Sequence, residues 1–370
     1  MKILQLGKFY PIRGGVEKVM YDLMTGISSR GVDCDMMCVG ETGGTSVKSV
    51  NTHATLICCR NVVKFAATMI SPSLIRQLKA ICQDYDIIHV HHPDPMACVA
   101  LRCSGYKGKV VLHWHSDILK QRFLLKIYRP LQDWLISRAD AIVGTSPVYL
   151  EQSPYLAGMR EKSVCIPIGI RPVPYNAEST ARKKAMFPGR KIVFSLGRLI
   201  EYKGYETLIK AAGHLDENCV VLIGGCGPLK ETLEEQIIHS GLQDRVRLLG
   251  FISDEELPDW YHACDLFCLS SKQKTEAFGI VQIEAMSCGK PVVATRINGS
   301  GVSWVNKDGV TGMNVEPEDD VAMAEAINRI LSDNDLYRKC AANARKRFED
   351  IFTEDKMIDN CLDLYERIRD

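Results

Sequence analysis

Hydrophobic positions along the chain fall into short, continuous apolar runs, and between them the apolar residues recur at the three- and four-residue spacing of helices. A run that is apolar throughout is typical of a strand buried on both faces, and an intervening helix makes successive strands parallel. The pattern therefore predicts an α/β protein. The predicted strands are 3–6, 36–39, 55–58, 87–90, 110–114, 141–143 and 164–168, then 192–196, 220–223, 246–249, 266–269, 292–295 and 313–315.

One segment, residues 169–176, interrupts this rhythm with Pro172 and Pro174, and we interpret it as a domain linker. A chain of 370 residues is also long for a single core. We therefore predict two doubly wound, Rossmann-like domains facing a cleft, residues 1–170 and 171–350. Residues 351–370 are predicted to form a C-terminal helix that packs back on the first domain.

Composition narrows the class of protein. A hydrophobic content of 46%, a charged content of 25% and a net charge of +1 are ordinary for a globular protein and give no overall field that recruits nucleic acid. No stretch approaches the ~20 apolar residues of a spanning helix, and the apolar start is too short for a signal peptide. The 15 cysteines include no Cys-x-x-Cys pair, which favours reduced thiols over disulfides or zinc. We expect a cytoplasmic protein.

Two carboxylates eight positions apart, Glu276 and Glu284, form the most informative motif. Glu276 lies in a predicted loop, and Phe278, Gly279 and Ile280 open a helix that carries Glu284 about one turn inside. The free N–H groups of a helix start attract phosphate, and carboxylates accept hydrogen bonds from hydroxyls. The motif therefore indicates a site for a sugar nucleotide. The alternative is an acidic residue favoured by the helix dipole and a solvated one on the next turn.

Two cations follow the predicted strand 192–196. Arg198 comes directly after Gly197, and Lys203 precedes Gly204 at a helix start. A planar guanidinium and an ammonium on one loop would clamp a diphosphate. The alternative is a solvated loop whose charges are incidental.

Glycines follow two further strands. Gly14 and Gly15 come after the first strand, and Gly225 comes after strand 220–223. Glycines let backbone N–H groups approach an anion or a nucleotide closely. The glycines of either loop alone are weak evidence for a ligand, because a tight strand-to-helix turn uses the same residues.

Histidines cluster on two neighbouring strands. Alternation puts His113 and His115 on one face of their strand, with His115 at the carboxyl end, where ligands of such sheets bind. His115 is therefore a candidate for contact with the reacting sugar; the alternative is a structural histidine. Alternation separates His92 from His89 and His91, so we interpret that trio as structural rather than as zinc ligands. Three Asp-x-Asp triplets lie on the wrong side of the sheets, and we expect no metal.

Residues 118–138 form a basic helical pattern with interspersed aromatic residues. Such a helix can lie on an anionic membrane surface, and the cytoplasmic face of the inner membrane is the candidate. The alternative is a helix that covers its own sheet and keeps a solvated basic face. The basic residues of this pattern are Lys120, Arg122, Lys126, Arg129 and Arg138.

These motifs together resemble retaining glycosyltransferases of family 4, which have the GT-B fold. The resemblance covers essentially the whole chain, and within the family the chain is similar to bacterial O-antigen and polysaccharide mannosyltransferases. It implies that Arg198 and Lys203 neutralise the donor diphosphate and that Glu284 holds the ribose hydroxyls. It also implies that Glu276 contacts the transferred sugar. The remaining implied contacts are the N–H groups of Phe278, Gly279 and Ile280 at the sugar, Gly14 and Gly15 at the phosphates, and His115 beside the anomeric carbon.

The resemblance further implies a hexosyltransferase that needs no cofactor, with GDP-mannose as donor and a lipid-linked saccharide as acceptor. The first domain would bind the acceptor and the second the donor. A UDP-hexose donor, or a sugar-nucleotide epimerase or hydrolase of the same fold, is the alternative. One departure is the segment from Ile297 to Val302, where many members carry a Gly-Gly-x-Pro-Glu-like loop. We therefore assign no donor contact to that loop.

Overall fold

The computed structural model of the chain describes residues 1–41, 44–65, 68–118 and 122–369, with residues 64, 65, 68 and 122–125 described by their backbone. The chain divides into two compact units. The first unit contains Met1–Gly169 and Glu354–Asp370, and the second contains Ile170–Thr353. The sequence places the corresponding boundaries at residues 170/171 and 350/351.

The first part of the chain forms the sheet and most helices of the first unit. Its elements are β1 (Lys2–Tyr10), α1 (Gly15–Ser28), β2 (Asp33–Gly40), β3 (Ser46–Asn51), β4 (Ala54–Cys59), β5 (Val63–Phe65), β6 (Thr68–Ile70), α2 (Pro72–Ile81), a 3-10 turn (Cys82–Asp84), β7 (Ile87–His92), α3 (Pro95–Ser104), β8 (Lys109–Trp114), α4 (Arg122–Arg138), β9 (Ala141–Gly144), α5 (Pro147–Gln152), a 3-10 turn (Arg160–Lys162) and β10 (Ser163–Cys165).

The sheet of the first unit has the strand order β10-β9-β8-β7-β1-β2-β4-β3. Every described pair in it is parallel except β3 with β4. The order reverses between β1 and β7, and the crevice beside such a reversal is where doubly wound sheets bind ligands. The ends of β1, β7 and β8 therefore define the region of interest in this unit.

The second unit is a doubly wound domain with a six-stranded sheet. Its elements are α6 (Ala177–Ala185), β11 (Lys191–Leu196), a 3-10 turn (Glu201–Lys203), α7 (Tyr205–Ala212), β12 (Cys219–Gly224), α8 (Lys230–His239), β13 (Val246–Gly250), α9 (Leu257–Ala263), β14 (Leu266–Leu269), α10 (Ile280–Ser287), β15 (Val292–Thr295), α11 (Val302–Val305), β16 (Gly312–Val315), α12 (Asp320–Ser332) and α13 (Asn334–Ile351). Its strands are parallel in the order β13-β12-β11-β14-β15-β16, which reverses between β11 and β14.

The last helix, α14 (Glu354–Arg369), belongs to the first unit and packs against α1. A Cβ atom at Gly26 of α1 would lie 2.1 Å from Cδ1 of Ile358, so the absence of a side chain at Gly26 allows the two helices to approach closely. Arg30 adds exposed ion pairs with Asp355 and Asp359. The buried face of α14 is apolar apart from one phenolic hydroxyl: Met357, Ile358, Cys361, Leu364 and Tyr365.

Several local predictions need correction. The sequence missed β3, β5 and β6, because β3 is an edge strand that buries none of its side chains and the other two are only three residues long. The predicted strand 164–168 is β10, which ends at Cys165; Pro167, two residues on, has no N–H to continue a ladder. Of the predicted helix 118–138, α4 begins at Arg122 and continues through Pro130. Lys120 lies outside the described residues, and the side chain of Arg122 is not described. Among the helices of the described chain, none is long and apolar enough to cross a membrane.

Candidate active site

The predicted donor residues of the second unit lie on loops at the carboxyl ends of its central strands. The loop after β11 carries Arg198 and leads to Lys203, and the loop after β14 carries Glu276 and leads into α10. Since β11 and β14 are neighbours at the reversal of strand order, these two loops border the position where a doubly wound domain binds its ligand.

Lys203 and Glu276 form a mostly buried ion pair. Lys203 Nζ donates to Glu276 Oε2 over 2.6 Å, and their side chains are only 11% and 12% exposed. The hydroxyl of Ser271 donates to the same oxygen over 2.9 Å. Burial is the largest single influence and lowers the pKa of Lys203, but the charge of Glu276, the neighbouring Tyr205 and Tyr202 and the hydrogen bond to Glu276 together outweigh it, so the pKa is raised. Lys203 is therefore a fixed cation whose partner is a residue of the predicted sugar site.

Arg198 differs from Lys203 because its side chain is exposed. Among the described residues, its guanidinium forms no ion pair or hydrogen bond. Its neighbour Gly197 is closely packed, since a Cβ there would lie 2.8 Å from the hydroxyl of Tyr205 and 3.0 Å from Cε of Lys203. The geometry thus gives one bare guanidinium and one paired ammonium on the same loop.

Gly225 has a packing role that the sequence did not distinguish from ligand approach. A Cβ at Gly225 would lie 1.9 Å from the carbonyl oxygen of Gly197, and one at Gly227 would lie 2.3 Å from that of Leu199. The amide of Leu199 donates to the carbonyl of Cys226 over 2.9 Å, which joins the two loops. The glycines after β12 therefore let the Arg198 loop lie directly against its neighbour.

The helix α10 begins at Ile280, after Gly279, whose φ of 75° favours glycine. As the N-cap residue, Gly279 has no side chain that could cap this N-terminus. Phe278 is buried and fixes the approach to the helix by an edge-on contact with Phe352, at 6.0 Å between ring centroids. The first N–H groups of α10, which a helix cannot satisfy internally, are thus held at a defined position.

Glu284, one turn inside α10, accepts a hydrogen bond from the hydroxyl of Tyr261 over 2.5 Å. Tyr261 is fully buried in α9, and burial together with the Glu284 charge raises its pKa. The sequence did not identify Tyr261, because no spacing relates α9 to α10. Its role is to orient one carboxylate oxygen of Glu284.

The loop after β15, whose sequence differs from that of many family members, supports the segment that contains Glu276. Ser300 is buried, and its hydroxyl donates to the backbone carbonyl of Glu276. The amide of Gly301 donates to the carbonyl of Ala277 over 2.8 Å. This loop therefore fixes the backbone that precedes α10, a function that sequence reasoning did not assign.

In the first unit, Gly14 caps α1 with an extended backbone and provides no side chain to it. A Cβ at Gly14 would lie 2.7 Å from Oε2 of Glu17, a buried residue of the first turn. The carboxylate of Glu17 therefore occupies space beside the N-terminus of α1, where Gly14 and Gly15 are predicted to border phosphates.

Lys8 lies where the pairing register of β1 shifts. Its ammonium donates to the carbonyl of Pro93 over 2.5 Å, and its backbone amide donates to Asp94.

His115 belongs to a stack of buried imidazoles on the face that strand alternation predicts. The ring centroids of stacked neighbours in this group lie between 4.0 and 5.3 Å apart, and His91 Nδ1 lies 2.9 Å from His115 Nε2. Burial lowers the pKa of every member well below the usual range, to about 3 for His113. The stack consists of His89, His91, His113 and His115.

Three of these histidines bring nitrogens within 4.8 Å of one another, namely His89, His91 and His113. Zinc needs nitrogen lone pairs that converge at about 2.0–2.1 Å. The three rings are inclined by only 17° to 28° to one another, so their in-plane lone pairs are directed along nearly parallel planes. The arrangement fits stacked neutral imidazoles better than a metal site. The expectation of no metal stays a prediction.

The Asp-x-Asp triplets have structural partners. Asp35 accepts a hydrogen bond from the hydroxyl of Tyr85 over 2.8 Å, Asp86 accepts one from the amide of Lys2 over 2.7 Å, and Asp333 caps α13. These contacts account for the triplets as pairing and capping residues.

Comparison with known proteins identifies the family. The model for glycosyl transferases group 1 matches residues 176–347, and the model for glycosyltransferase family 4 matches residues 13–172. The chain is 31% identical to O-antigen chain mannosyltransferase C of Escherichia coli over 369 residues, which covers 99% of this chain and 98% of the relative. The chain belongs to glycosyltransferase family 4. It is also 29% identical to the D-rhamnosyltransferase WbpZ of Pseudomonas aeruginosa, over 95% of this chain and 92% of that one.

Solved structures place this glycosyltransferase in the GT-B fold, as the sequence predicts. The structure of Anabaena HepE in complex with UDP matches with a TM-score of 0.82 and covers 99% of this chain and 100% of its own. Its sequence identity is 21%. The likeness therefore establishes the architecture of two Rossmann-like domains and does not identify the donor of this chain.

Proposed function

We propose that this glycosyltransferase transfers mannose from GDP-mannose to a lipid-linked saccharide, with retention of configuration, in the synthesis of O-antigen or another surface polysaccharide. The observation that carries the proposal is the full-length similarity to O-antigen chain mannosyltransferase C. The arrangement of Arg198, Lys203, Glu276 and Glu284 around the reversal of strand order supports a nucleotide-sugar site in the second unit.

Each residue of the second unit has a proposed role that suits its environment. The exposed guanidinium of Arg198 binds the diphosphate, and the first N–H groups of α10 bind the same charge. Lys203 adds a fixed positive charge and holds Glu276 in place. Both described contacts of the Glu276 carboxylate use Oε2, so Oε1 is the oxygen that accepts from the transferred sugar. Glu284, oriented by Tyr261, accepts from the ribose hydroxyls.

The proposed reaction is a transfer on one face of the sugar. The bond between the anomeric carbon and the diphosphate oxygen breaks, and a new bond forms from that carbon to the acceptor hydroxyl oxygen. The hydroxyl proton moves to a phosphate oxygen of the departing nucleotide. Charge separates as a cationic sugar and an anionic diphosphate, and preorganised cations stabilise that separation. The Lys203–Glu276 ion pair argues against Glu276 as a covalent nucleophile, because the ammonium of Lys203 and the hydroxyl of Ser271 stabilise the negative charge of the carboxylate and so lower its nucleophilicity.

The acceptor is proposed to bind the first unit, at the ends of β1, β7 and β8. A lipid-linked acceptor requires contact with a membrane surface, and α4 is the candidate element. Lys126, Ile127 and Arg129 of α4 are exposed, and Ile127 has 67% of its surface in solvent. Leu135 and Ile136 are buried, so the same helix also covers its own sheet.

A UDP-hexose transferase and a sugar-nucleotide epimerase or hydrolase are the alternatives. A transferase requires the acceptor for turnover, whereas a hydrolase releases nucleotide diphosphate from the donor alone. The first experiment is a thermal-shift panel of GDP, UDP, ADP and their sugar conjugates, with and without magnesium, because a ligand of the folded state raises Tm with its affinity. A selective shift with GDP and GDP-mannose supports the proposal, and a selective shift with UDP ligands replaces mannose by a UDP-hexose.

The second experiment is turnover with the selected donor and a lipid-linked saccharide. Formation of an α-linked product from an α-linked donor, observed by NMR, supports retention. Inversion would contradict the proposed mechanism. Nucleotide release at the same rate without acceptor would favour the hydrolase. Equal turnover in chelator and in magnesium would support the absence of a metal requirement.

A further inference from the structure

A continuous hydrogen-bond network joins the C-terminal helix to His115. We call this network the histidine relay. Each of its members is hydrogen-bonded to the next one. The distances are 2.5 Å from His89 Nδ1 to the Tyr365 hydroxyl, 3.3 Å from that hydroxyl to Gln5 Nε2, and 2.8 Å from Gln5 Oε1 to His91 Nε2. The last bond joins His91 Nδ1 to His115 Nε2 over 2.9 Å. The members are His89, Tyr365, Gln5, His91 and His115, and all are buried.

The amide of Gln5 has one orientation that satisfies it. Its two N–H groups donate to the Tyr365 hydroxyl and to Cys34 Sγ, at 3.6 Å, and its carbonyl oxygen faces His91. The opposite orientation would direct both N–H groups toward a single acceptor on His91. Buried polar groups strongly favour the arrangement that leaves fewest of them unpaired. Gln5 therefore presents a carbonyl oxygen, which only accepts, to His91 Nε2.

This orientation determines which nitrogen of each imidazole carries the proton. Burial lowers the pKa of His91 and His115, with smaller effects of neighbouring histidines and Lys8, so both rings are neutral and have one N–H each. His91 must donate from Nε2 to Gln5, so its Nδ1 accepts. The proton between the two histidines is then on His115 Nε2, and His115 Nδ1 has only a lone pair. Among the described residues, this buried Nδ1 has no hydrogen-bond partner.

We propose that Gln5 is a positioning residue that acts through His91 to fix His115 in its Nε2–H tautomer, so that His115 Nδ1 accepts a hydrogen bond from a hydroxyl group of the saccharide substrate. The inference rests on the proposed function, which supplies the hydroxyl. It also excludes two other roles for His115. The side chain is not a proton donor to the leaving group, and it is not a cation beside the diphosphate.

The tautomer is tested directly in the full chain. Long-range proton–nitrogen NMR spectra of protein labelled with ¹⁵N-histidine distinguish a protonated from an unprotonated Nδ1. We expect His91 and His115 of the unchanged protein to be protonated at Nε2. A His115 protonated at Nδ1 would overturn the proposal, whatever the enzyme transfers. This readout does not depend on activity, so its failure is distinguishable from failure of the mannosyltransferase assignment.

The link to catalysis is tested by Gln5→Leu, which removes the acceptor for His91. We expect mixed tautomers at His115 and a fall in kcat of about tenfold or more, which is the effect of one lost hydrogen bond in the reacting state. The thermal shift with the donor nucleotide should be unchanged. Gln5→Glu should restore both the tautomer and kcat, because a buried, protonated carboxyl still offers a carbonyl oxygen to His91 and an O–H to Tyr365.

The matched control is Tyr85→Phe, which removes a buried hydrogen bond of the same unit outside the relay, from the Tyr85 hydroxyl to Asp35 at 2.8 Å. If Gln5→Leu loses no more kcat than Tyr85→Phe at similar stability, Gln5 has only a structural role and the proposal is wrong.

A second pair of variants serves if Gln5→Leu does not fold. The terminal group of Asn can replace Nδ1 of a histidine, and that of Gln can replace Nε2. We expect His115→Asn to keep more kcat than His115→Gln, because the proposed substrate contact is at Nδ1. The reverse order would show that the bond to His91 alone matters, and would contradict the substrate contact.

Discussion

Lys203 and Arg198 show how two cations on one loop differ in what they can do. Lys203 is fixed by Glu276 at 2.6 Å and is mostly buried, whereas Arg198 is exposed. Removing one member of a buried ion pair leaves an uncompensated charge, which is costly. Removing an exposed charge affects stability little. Variants of the two residues therefore separate the proposed role in donor binding from a role in stability.

We expect Arg198→Ala to lower kcat/KM at least tenfold, an effect of about 1.4 kcal/mol, while the free energy of unfolding changes by less than about 0.5 kcal/mol. Lys203→Met should lower kcat/KM and also destabilise the protein by about 3 kcal/mol, because Glu276 stays buried without its cation. Steady-state kinetics and urea unfolding measure the two effects.

The control for these variants is Arg182→Ala, an exposed arginine of α6 that forms an i,i+4 pair with Glu178. It should change neither quantity. Unchanged turnover in both Arg198→Ala and Glu276→Gln would mean that the active site has been assigned to the wrong residues.

The buried histidines make stability depend on pH. Burial lowers their pKa in the folded state below about 6.5, the ordinary value in the unfolded chain. The unfolded state therefore binds more protons at acidic pH, so stability is complete above about pH 6.5 and falls as the pH decreases below it. We expect the urea midpoint to be constant from pH 8 to 7 and to fall steeply between pH 6.5 and 5.

His113 allows a sharp test of this dependence. Neither of its ring nitrogens has a hydrogen-bond partner among the described residues, and its pKa is lowered to about 3. Because His113→Leu removes a buried polar group without a partner, we expect a neutral or stabilising effect at pH 7.5 and a shallower loss in acid. His53→Gln, at an exposed histidine paired with Asp33, should leave the acid slope unchanged. A steep slope that persists in His113→Leu would exclude His113 as a contributor.

At the scale of elements, the loops that follow parallel strands hold the site because each is fixed by its neighbours. The Arg198 loop packs on the glycines after β12, and the Glu276 segment is held by Ser300 of the loop after β15. Tyr261 of α9 orients Glu284 of α10. The precision of the site thus comes from adjacent elements and not from the motif residues alone.

The helix α4 is predicted to bind an anionic membrane surface. Lys126 is exposed and lies beside the exposed Ile127, which suits an anionic surface with an apolar layer beneath. We expect the protein to co-sediment with vesicles that contain an anionic lipid and not with neutral vesicles. Lys126→Glu should reduce that binding several-fold, since each cation near such a surface contributes about 1 kcal/mol.

The control is Lys230→Glu on α8 of the second unit, another exposed lysine, which forms an ion pair with Glu234 one turn along its helix. It should leave vesicle binding intact. Equal binding of the unchanged protein and Lys126→Glu would favour the alternative, in which α4 only covers its own sheet.

At the scale of the whole molecule, the last helix of the chain, α14, packs against the first helix, α1, and so completes the core of the first unit. The apolar face of α14 packs on α1, and Tyr365 of α14 reaches the histidine relay. Exposed ion pairs such as Arg30–Asp359 contribute little, with a median of about 0–1 kcal/mol. The close approach of the helices at Gly26 is therefore the main support of this contact.

We expect Gly26→Val to destabilise the first unit by about 1–3 kcal/mol, because its side chain would overlap Ile358. Hydrogen exchange of the α14 amides should accelerate. Combining it with Ile358→Ala should recover part of the loss, since the smaller residue makes room. Arg30→Ala should change stability by less than about 1 kcal/mol. Additive effects of Gly26→Val and Ile358→Ala would contradict the close contact.

The sequence by itself determined the order of strands and helices, the two-domain organisation and the residues that face the ends of the strands. Continuous apolar runs have few other stable arrangements, and the Glu276–Glu284 spacing together with Arg198 and Lys203 indicated a sugar-nucleotide site. Exposed edge strands such as β3 gave no signal, because none of their side chains is buried.

Only the tertiary structure decided which side chains are partners. Lys203 and Glu276 are 73 positions apart, and Gln5 meets Tyr365 across 360 positions. The periodicity of a sequence reports which face of an element is buried, but a hydrogen bond between distant elements depends on how their backbones approach. The same reason explains why the sequence could name His115 as a candidate, while the orientation of its ring required the fold.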